Sequence, residues 1–130
     1  MSTTKPTAEP STTTTDKTKS SATELRELVD IMERLRSPGG CPWDREQDFS
    51  TLVPFVIEEA YEVVAAIDSG VKDDLKEELG DLLFQVIFLA RLGAEEGSFA
   101  IGDVIASSVE KMTRRHPHVF GDKSAETPEE

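Results

Sequence analysis

The chain contains 130 residues and carries a formal net charge of −12 at pH 7. This length predicts one modest domain, and the negative charge argues against a DNA or RNA polymer as partner, because binding a phosphate backbone requires a basic surface. Cys41 is the single cysteine, so no disulfide can form within the chain, and a reducing cytoplasm is the expected compartment.

The N-terminal region is predicted to lie outside the folded domain. Residues 1–22 are rich in Ser, Thr and Lys and have no large aliphatic side chain after Met1, which predicts a disordered tail. The same absence of an apolar core argues against a secretory signal. The longest apolar region, residues 82–92, is interrupted by Gln85 and Arg91 and is too short to cross a membrane.

The first predicted helix belongs to a domain that we expect over residues 23–122, followed by a flexible acidic tail at 123–130. Thr23 is a candidate N-cap, and the Ser-Pro-Gly-Gly sequence at 37–40 is expected to end the helix. Apolar residues recur at helical spacing between these points. They are Leu25, Leu28, Val29, Met32 and Leu35.

The next segment, residues 39–47, contains the only tryptophan as well as Cys41. Asp44 and Gln47 resemble a capping box that starts a short helix. Two interpretations of Trp43 remain open: it anchors the loop to the core, or it borders a base or sugar pocket through aromatic stacking. Cys41 has no activating neighbour in the sequence and is interpreted as a passive thiol.

Two acidic clusters follow, on predicted helices joined by a turn at Gly70. The clusters are Glu58, Glu59 and Glu62 on the first helix and Glu77, Glu78 and Asp81 on the second. A helix advances about 100° per residue, so each cluster offers carboxylates on one side of its helix. The first helix is expected to begin between residues 50 and 54, and the second to run from about Asp73, with Asp73 or Asp74 as N-cap, to about Glu95. Helices joined by so short a turn usually lie antiparallel, and the clusters can then face each other.

The charge pattern of these helices favours a cation between them over a solvated surface. A solvated face gains from Lys or Arg four residues after Glu, whereas like charges at that spacing are destabilising. Here Glu58 is followed at that spacing by Glu62, and Glu77 by Asp81. We therefore predict a divalent-metal site, with a plain solvated face as the alternative.

Carboxylate ligands alone indicate a hard cation. They suit Mg²⁺ or Mn²⁺, and Mg²⁺ usually shares its coordination with substrate phosphates. A di-iron bundle requires Glu-x-x-His on inward-facing helices, and neither acidic helix contains histidine. The chemistry predicted is therefore that of a phosphate ester or anhydride.

The second acidic helix becomes apolar nearly all round over residues 82–92, which predicts burial against another subunit and hence a dimer or higher oligomer.

A fourth helix is expected from about Ile101 to Arg115. Its end is basic, with Lys111, Arg114 and Arg115. Two interpretations of these cations remain open with equal weight. They interact favourably with the helix dipole, or Lys111 and Arg115 contact a polyphosphate.

Four blocks in order resemble one family: CPWDREQ, EEAYE, EELGDLLFQV and KMTRRHPHVFGD. The sequence is similar to the MazG-type nucleoside triphosphate pyrophosphohydrolases of the all-α NTP pyrophosphatase superfamily, over roughly residues 23–122. The family motif, EExxE followed by ExxD, corresponds to Glu58, Glu59, Glu62, Glu78 and Asp81. The resemblance implies an antiparallel bundle of about four main helices, assembled as a homodimer or larger.

The resemblance also implies Mg²⁺-dependent hydrolysis of NTP or dNTP to the monophosphate and pyrophosphate, in nucleotide-pool house-cleaning. It implies Glu59, Glu62, Glu78 and Asp81 as metal ligands, with Glu58 binding a second metal or orienting the attacking water. Lys111, Arg114, Arg115 and Trp43 are the implied substrate-binding residues. The alternatives are a non-catalytic nucleotide-binding or oligomerisation module, and hydrolysis of a different pyrophosphate-containing compound.

Overall fold

The computed structural model describes residues 10–121, with side chains described from residue 20 onward. Within that range it contains six helices and no strand, which confirms the all-α prediction. The helices are α1 (Pro10–Arg36), α2 (Pro42–Arg45), α3 (Phe49–Ser69), α4 (Lys72–Glu95), α5 (Ile101–Arg115) and α6 (Pro117–Phe120). Helices α1 and α2 belong to one compact unit, and α3 to α6 belong to a second.

Helix α1 begins at Pro10, earlier than the start predicted at Thr23. Proline is tolerated in the first turn of a helix, and no proline or glycine follows until residue 38, so no helix-breaking residue interrupts the backbone. The predicted tail at 1–22 therefore overlaps this helix over 10–22, and residues 1–9 lie outside the described range. The helix ends at Arg36, as the Ser-Pro-Gly-Gly sequence predicted.

The loop after α1 is held by Arg36 and not by the predicted capping box. Arg36 Nη1 donates to the carbonyl oxygens of Asp44 at 2.6 Å and Gln47 at 3.0 Å. Helix α2 has Cys41 as its N-cap, and Gln47 Nε2 donates to the Trp43 carbonyl at 3.0 Å. The Asp44–Gln47 assignment was wrong because Asp44 lies inside the short helix.

The capping box of this region lies at the start of α3. Asp48 Oδ1 accepts from the Thr51 backbone N–H at 2.9 Å, and Thr51 Oγ1 accepts from the Asp48 N–H at 2.8 Å. At the other end, Gly70 has φ 78°, a left-handed conformation that ends the helix at low cost. The predicted turn at Gly70 is confirmed.

Helix α4 starts at Lys72 with Val71 as N-cap, so the predicted capping role of Asp73 or Asp74 was wrong. Both carboxylates lie in the first turn, where they interact favourably with the helix dipole. The linker between the helices is only Gly70 and Val71, and α3 and α4 make the most extensive helix–helix contact described. They form an antiparallel hairpin, as predicted.

Most of the buried core residues of this unit lie in the C-terminal half of α4, and Leu52 and Ala66 contribute from α3. Those of α4 are Ile87, Phe88, Ala90 and Leu92. A Cβ at Gly93 would lie 2.7 Å from the Phe99 ring, so glycine is what allows that ring to pack on the helix. Helix α5 follows and contacts α4. Its bounds agree with the prediction at both ends.

Candidate metal centre

The α3–α4 hairpin is held by a seam of buried and half-buried residues at three- and four-residue spacing, the pattern of paired helices. On α3 the seam contains Leu52, Val56, Glu59, Val63 and Ala66. On α4 it contains Leu75, Glu78, Leu82, Gln85, Leu89 and Leu92. Three of these residues are polar, and all three lie in the middle of the hairpin and not at its ends.

The hairpin places the two acidic clusters at the same distance from the turn at Gly70, measured along the helix axes. Glu59 and Asp81 are equally far along the chain from Gly70, and Glu62 and Glu78 form a second such pair nearer the turn. One carboxylate oxygen each from Glu59, Glu78 and Asp81 lies within 4.8 Å of the others. The predicted convergence of the EExxE and ExxD carboxylates is therefore present for these three residues.

Glu59 is the most enclosed member of this group. Its Oε1 is buried and has no hydrogen-bond partner among the described residues. Partial desolvation, followed by the charge of Asp81, raises the pKa of the Glu59 carboxyl above its ordinary value. A buried carboxylate oxygen without a donor is costly, and a cation would remove both the missing interaction and the repulsion.

Glu78 is the carboxylate at a seam position of α4, three residues closer to Gly70 than Glu59 is. Partial desolvation raises the pKa of its carboxyl, and the negative charge of Glu62 and then that of Asp81 raise it further. Glu62 is exposed and lies outside the group within 4.8 Å, yet its charge acts on both Glu59 and Glu78. It therefore borders the centre from the α3 side.

The residues present fit a hard divalent cation. Three carboxylates supply oxygen ligands only, and Asp81 is exposed, so one side of the group is open to water or a phosphate. Mg²⁺ and Mn²⁺ accept such ligands and retain waters or substrate oxygens in the remaining positions. Glu59, Glu78 and Asp81 would hold such an ion, and Glu62 is placed to join them.

The other predicted site residues are not brought into this group. Glu58 is exposed and acts on Glu59 through its charge. Lys111, Arg114 and Arg115 are exposed on α5, where Arg114 Nε lies 3.1 Å from Glu110 Oε2. Phosphate binding by these cations stays a prediction.

Trp43 is 74% exposed, so it does not anchor its loop in a core within its unit. That interpretation of the sequence was wrong. An exposed indole is free to stack on a ligand, and its predicted contact with the base or sugar stays a prediction.

The raised pKa values predict a pH dependence of stability. The folded state keeps protons on Glu59 and Glu78 that the unfolded chain releases near 4.5. Their contribution to stability is therefore full below that pH and is lost as pH rises through the higher folded-state pKa. In EDTA, the free energy of unfolding of the wild type should fall more steeply above about pH 4.5 than that of Glu59→Gln, as measured by urea denaturation. Parallel pH profiles would contradict this expectation.

This chain is therefore an all-α protein whose helical hairpin brings carboxylates together in a candidate metal centre. Residues 47–120 match the model of the MazG nucleotide pyrophosphohydrolase domain. The chain belongs to this family. It is 53% identical over 108 residues to the Escherichia coli K12 nucleoside triphosphate pyrophosphohydrolase. The aligned residues cover 82% of this chain and 41% of that protein.

Two further relatives agree with this assignment. The chain is 57% identical over 98 residues to the Thermotoga maritima nucleoside triphosphate pyrophosphohydrolase/pyrophosphatase MazG, covering 75% of this chain and 38% of that protein. It is 41% identical over 102 residues to the Mycobacterium tuberculosis nucleoside triphosphate pyrophosphohydrolase, covering 77% and 31%. The chain thus spans about two fifths or less of the length of these relatives.

None of the helices in the described range is long and apolar enough to cross a membrane.

Proposed function

We propose that this chain hydrolyses nucleoside triphosphates, NTP or dNTP, to the monophosphate and pyrophosphate with Mg²⁺ as cofactor and Mn²⁺ as a possible substitute. The observation that carries the proposal is the convergence of Glu59, Glu78 and Asp81 inside the segment that matches the family. The names of the relatives support the same activity. Clearing of unwanted nucleotides in the cytoplasm is the proposed role.

The residues divide the chemical work. Bound Mg²⁺ would supply a water of lowered pKa and neutralise charge on the departing pyrophosphate. Glu59 and Glu78 would hold the cation from the seam, and the exposed Asp81 would hold it from the open side. Glu58 or Glu62, both exposed beside the centre, would orient the attacking water towards the α-phosphorus. Lys111 and Arg115 would contact the phosphates.

The experiment is product analysis by ion-exchange chromatography. Purified protein is incubated with a panel of NTPs and dNTPs in Mg²⁺, in Mn²⁺ and in EDTA. We expect monophosphate and pyrophosphate with either metal and no product in EDTA. Diphosphate and orthophosphate would place the attack at the γ-phosphorus and contradict the proposed reaction. No product from any nucleotide with either metal would favour the non-catalytic nucleotide-binding module.

We also propose that the protein acts as a homodimer or higher oligomer. Ile57, Tyr61 and Val64 form an exposed apolar stripe on α3, on the side opposite the seam. Such a stripe on a helix is unfavourable in water and suits a second copy of the chain.

Ile57→Glu should therefore reduce the number of subunits in the assembly, and a dimer should become a monomer. The new carboxylate would otherwise be buried in the interface without a partner. Light scattering coupled to size exclusion measures the mass. Ser107→Glu, at an exposed polar position of α5, is the matched control and should leave the mass unchanged. An unchanged mass for Ile57→Glu would show that this stripe is not the interface.

A further inference from the structure

Gln85 is the third polar residue of the hairpin seam and has no role in the function described so far. It follows Glu78 by one heptad and therefore lies on the same side of α4. Its Oε1 is buried and has no hydrogen-bond partner among the described residues. The only other side-chain oxygen with this property in the described range is Glu59 Oε1.

The position of Gln85 links these two oxygens. Counted from Gly70 along an antiparallel hairpin, Glu59 lies between the heights of Glu78 and Gln85. The axial offset between Glu59 and Gln85 is about 6 Å at 1.5 Å per residue. Both oxygens accept hydrogen bonds and neither donates. A group that can satisfy both must bring a cation or N–H or O–H donors into the seam, and water bound to a cation supplies both charge and O–H donors.

An amide fits this position better than an apolar residue when a hydrated cation is present, and better than another carboxylate when the cation is absent. Mg²⁺ and Mn²⁺ keep water molecules in their coordination shell, and those waters need acceptors. A carboxylate would add negative charge beside Glu59, Glu78 and Asp81, whose oxygens already lie within 4.8 Å of one another. A leucine would complete the apolar seam but would offer no acceptor.

We propose that Gln85 is a positioning residue of the metal centre, whose Oε1 accepts a hydrogen bond from a water in the hydration shell of the cation held by Glu59, Glu78 and Asp81. This inference rests on the proposed function, because it requires a cation at the carboxylates. It extends the centre by one heptad along α4, beyond the ExxD motif. Gln85 thereby fixes the orientation of the hydration shell without binding the cation itself.

The test measures Mn²⁺ binding without nucleotide. Free hexaaqua Mn²⁺ is followed by electron paramagnetic resonance during titration of the full chain, so the readout does not depend on turnover. Gln85→Leu should weaken Mn²⁺ affinity by about tenfold or more, the usual effect of removing an outer-shell partner. Gln85→Glu keeps the acceptor and should bind Mn²⁺ at least as tightly as the wild type. Gln47→Leu makes the same chemical change outside this unit and should leave the affinity unchanged.

Unfolding measurements separate this role from a purely structural one. In EDTA, Gln85→Leu should be at least as stable as the wild type, because an apolar side chain replaces a buried acceptor without a partner. Added Mn²⁺ should stabilise it less than it stabilises the wild type. An affinity of Gln85→Leu within about twofold of the wild type would overturn the role of Gln85 alone. Absence of Mn²⁺ binding by the wild type would overturn the metal centre and this inference together.

Discussion

Replacing Glu59 with Gln is expected to lower the turnover of nucleoside triphosphates by about 100-fold or more at limiting Mg²⁺, because metal stabilisation of the transition state is worth several kcal/mol. The substitution keeps the shape of the side chain and removes its charge. Glu59 lies between α3 and α4 with a buried oxygen that has no partner. Among the carboxylates of the hairpin it is therefore the one that most needs a cation.

The same substitution should not unfold the protein. Partial desolvation, followed by the charges of Asp81 and Glu78, raises the pKa of Glu59, so a neutral amide removes both the desolvation cost and the repulsion between α3 and α4. We expect the metal-free variant to be at least as stable as the wild type in urea denaturation at pH 7.5, with a smaller gain in stability on adding Mg²⁺.

Glu24→Gln, at an exposed position of α1, makes the same change far along the chain from the hairpin and should leave turnover unchanged. Turnover of Glu59→Gln within about threefold of the wild type at limiting Mg²⁺ would contradict the assignment of Glu59 as a ligand. Loss of turnover together with loss of folding would show a structural role instead, since the isosteric change is expected to preserve the fold.

The sequence was sufficient to predict the hairpin and the approach of three of the predicted carboxylates, Glu59, Glu78 and Asp81. Like charges repeated at helical spacing on otherwise apolar helices have few physical explanations, and Gly70 marks the reversal of the chain. Helix α5 was predicted at both ends because Gly97 and Ser98 precede it and Pro117 follows it. These features depend on local rules, which a sequence displays directly.

Capping residues were predicted less well, because several segments satisfy the same pattern. Asp44 with Gln47 and Asp48 with Thr51 both offer a short polar side chain followed three residues later by a partner. Only Asp48 and Thr51 exchange the two hydrogen bonds of the motif. Asp44 lies inside helix α2 and therefore cannot cap it. The Asp44 and Gln47 carbonyls instead accept hydrogen bonds from Arg36, a contact between residues distant in sequence.

The enclosure of individual carboxylates also required the structure. Glu59 and Glu62 both belong to the EExxE motif, but only Glu59 occupies a seam position between apolar residues of α3. Gln85 could have been recognised in the sequence as a polar interruption of an apolar repeat on α4. The repeat consists of Leu75, Glu78, Leu82, Gln85, Leu89 and Leu92. That the Gln85 oxygen has no partner follows only from the packed hairpin.

Ile87→Ala is expected to lower the free energy of unfolding by about 2–5 kcal/mol, the range for truncating a buried aliphatic side chain. Ile87 is 2% exposed, in the part of α4 that forms the core beyond the carboxylates. The change removes apolar contacts and leaves a cavity, because the surrounding helices relax only partly. Since Ile87 lies outside the metal centre, Mn²⁺ affinity of the folded variant should equal that of the wild type.

Val86→Ala is the matched control for this substitution. Val86 precedes Ile87 on the same helix but is 38% exposed, so its truncation should cost about 1 kcal/mol or less. Urea denaturation at equal protein concentration measures both variants, and equal m-values allow the midpoints to be compared. Equal losses would mean that Val86 is as deeply buried in solution as Ile87. Because a second copy of the chain is the proposed partner, that result would place α4 within the subunit interface and extend it beyond the stripe on α3.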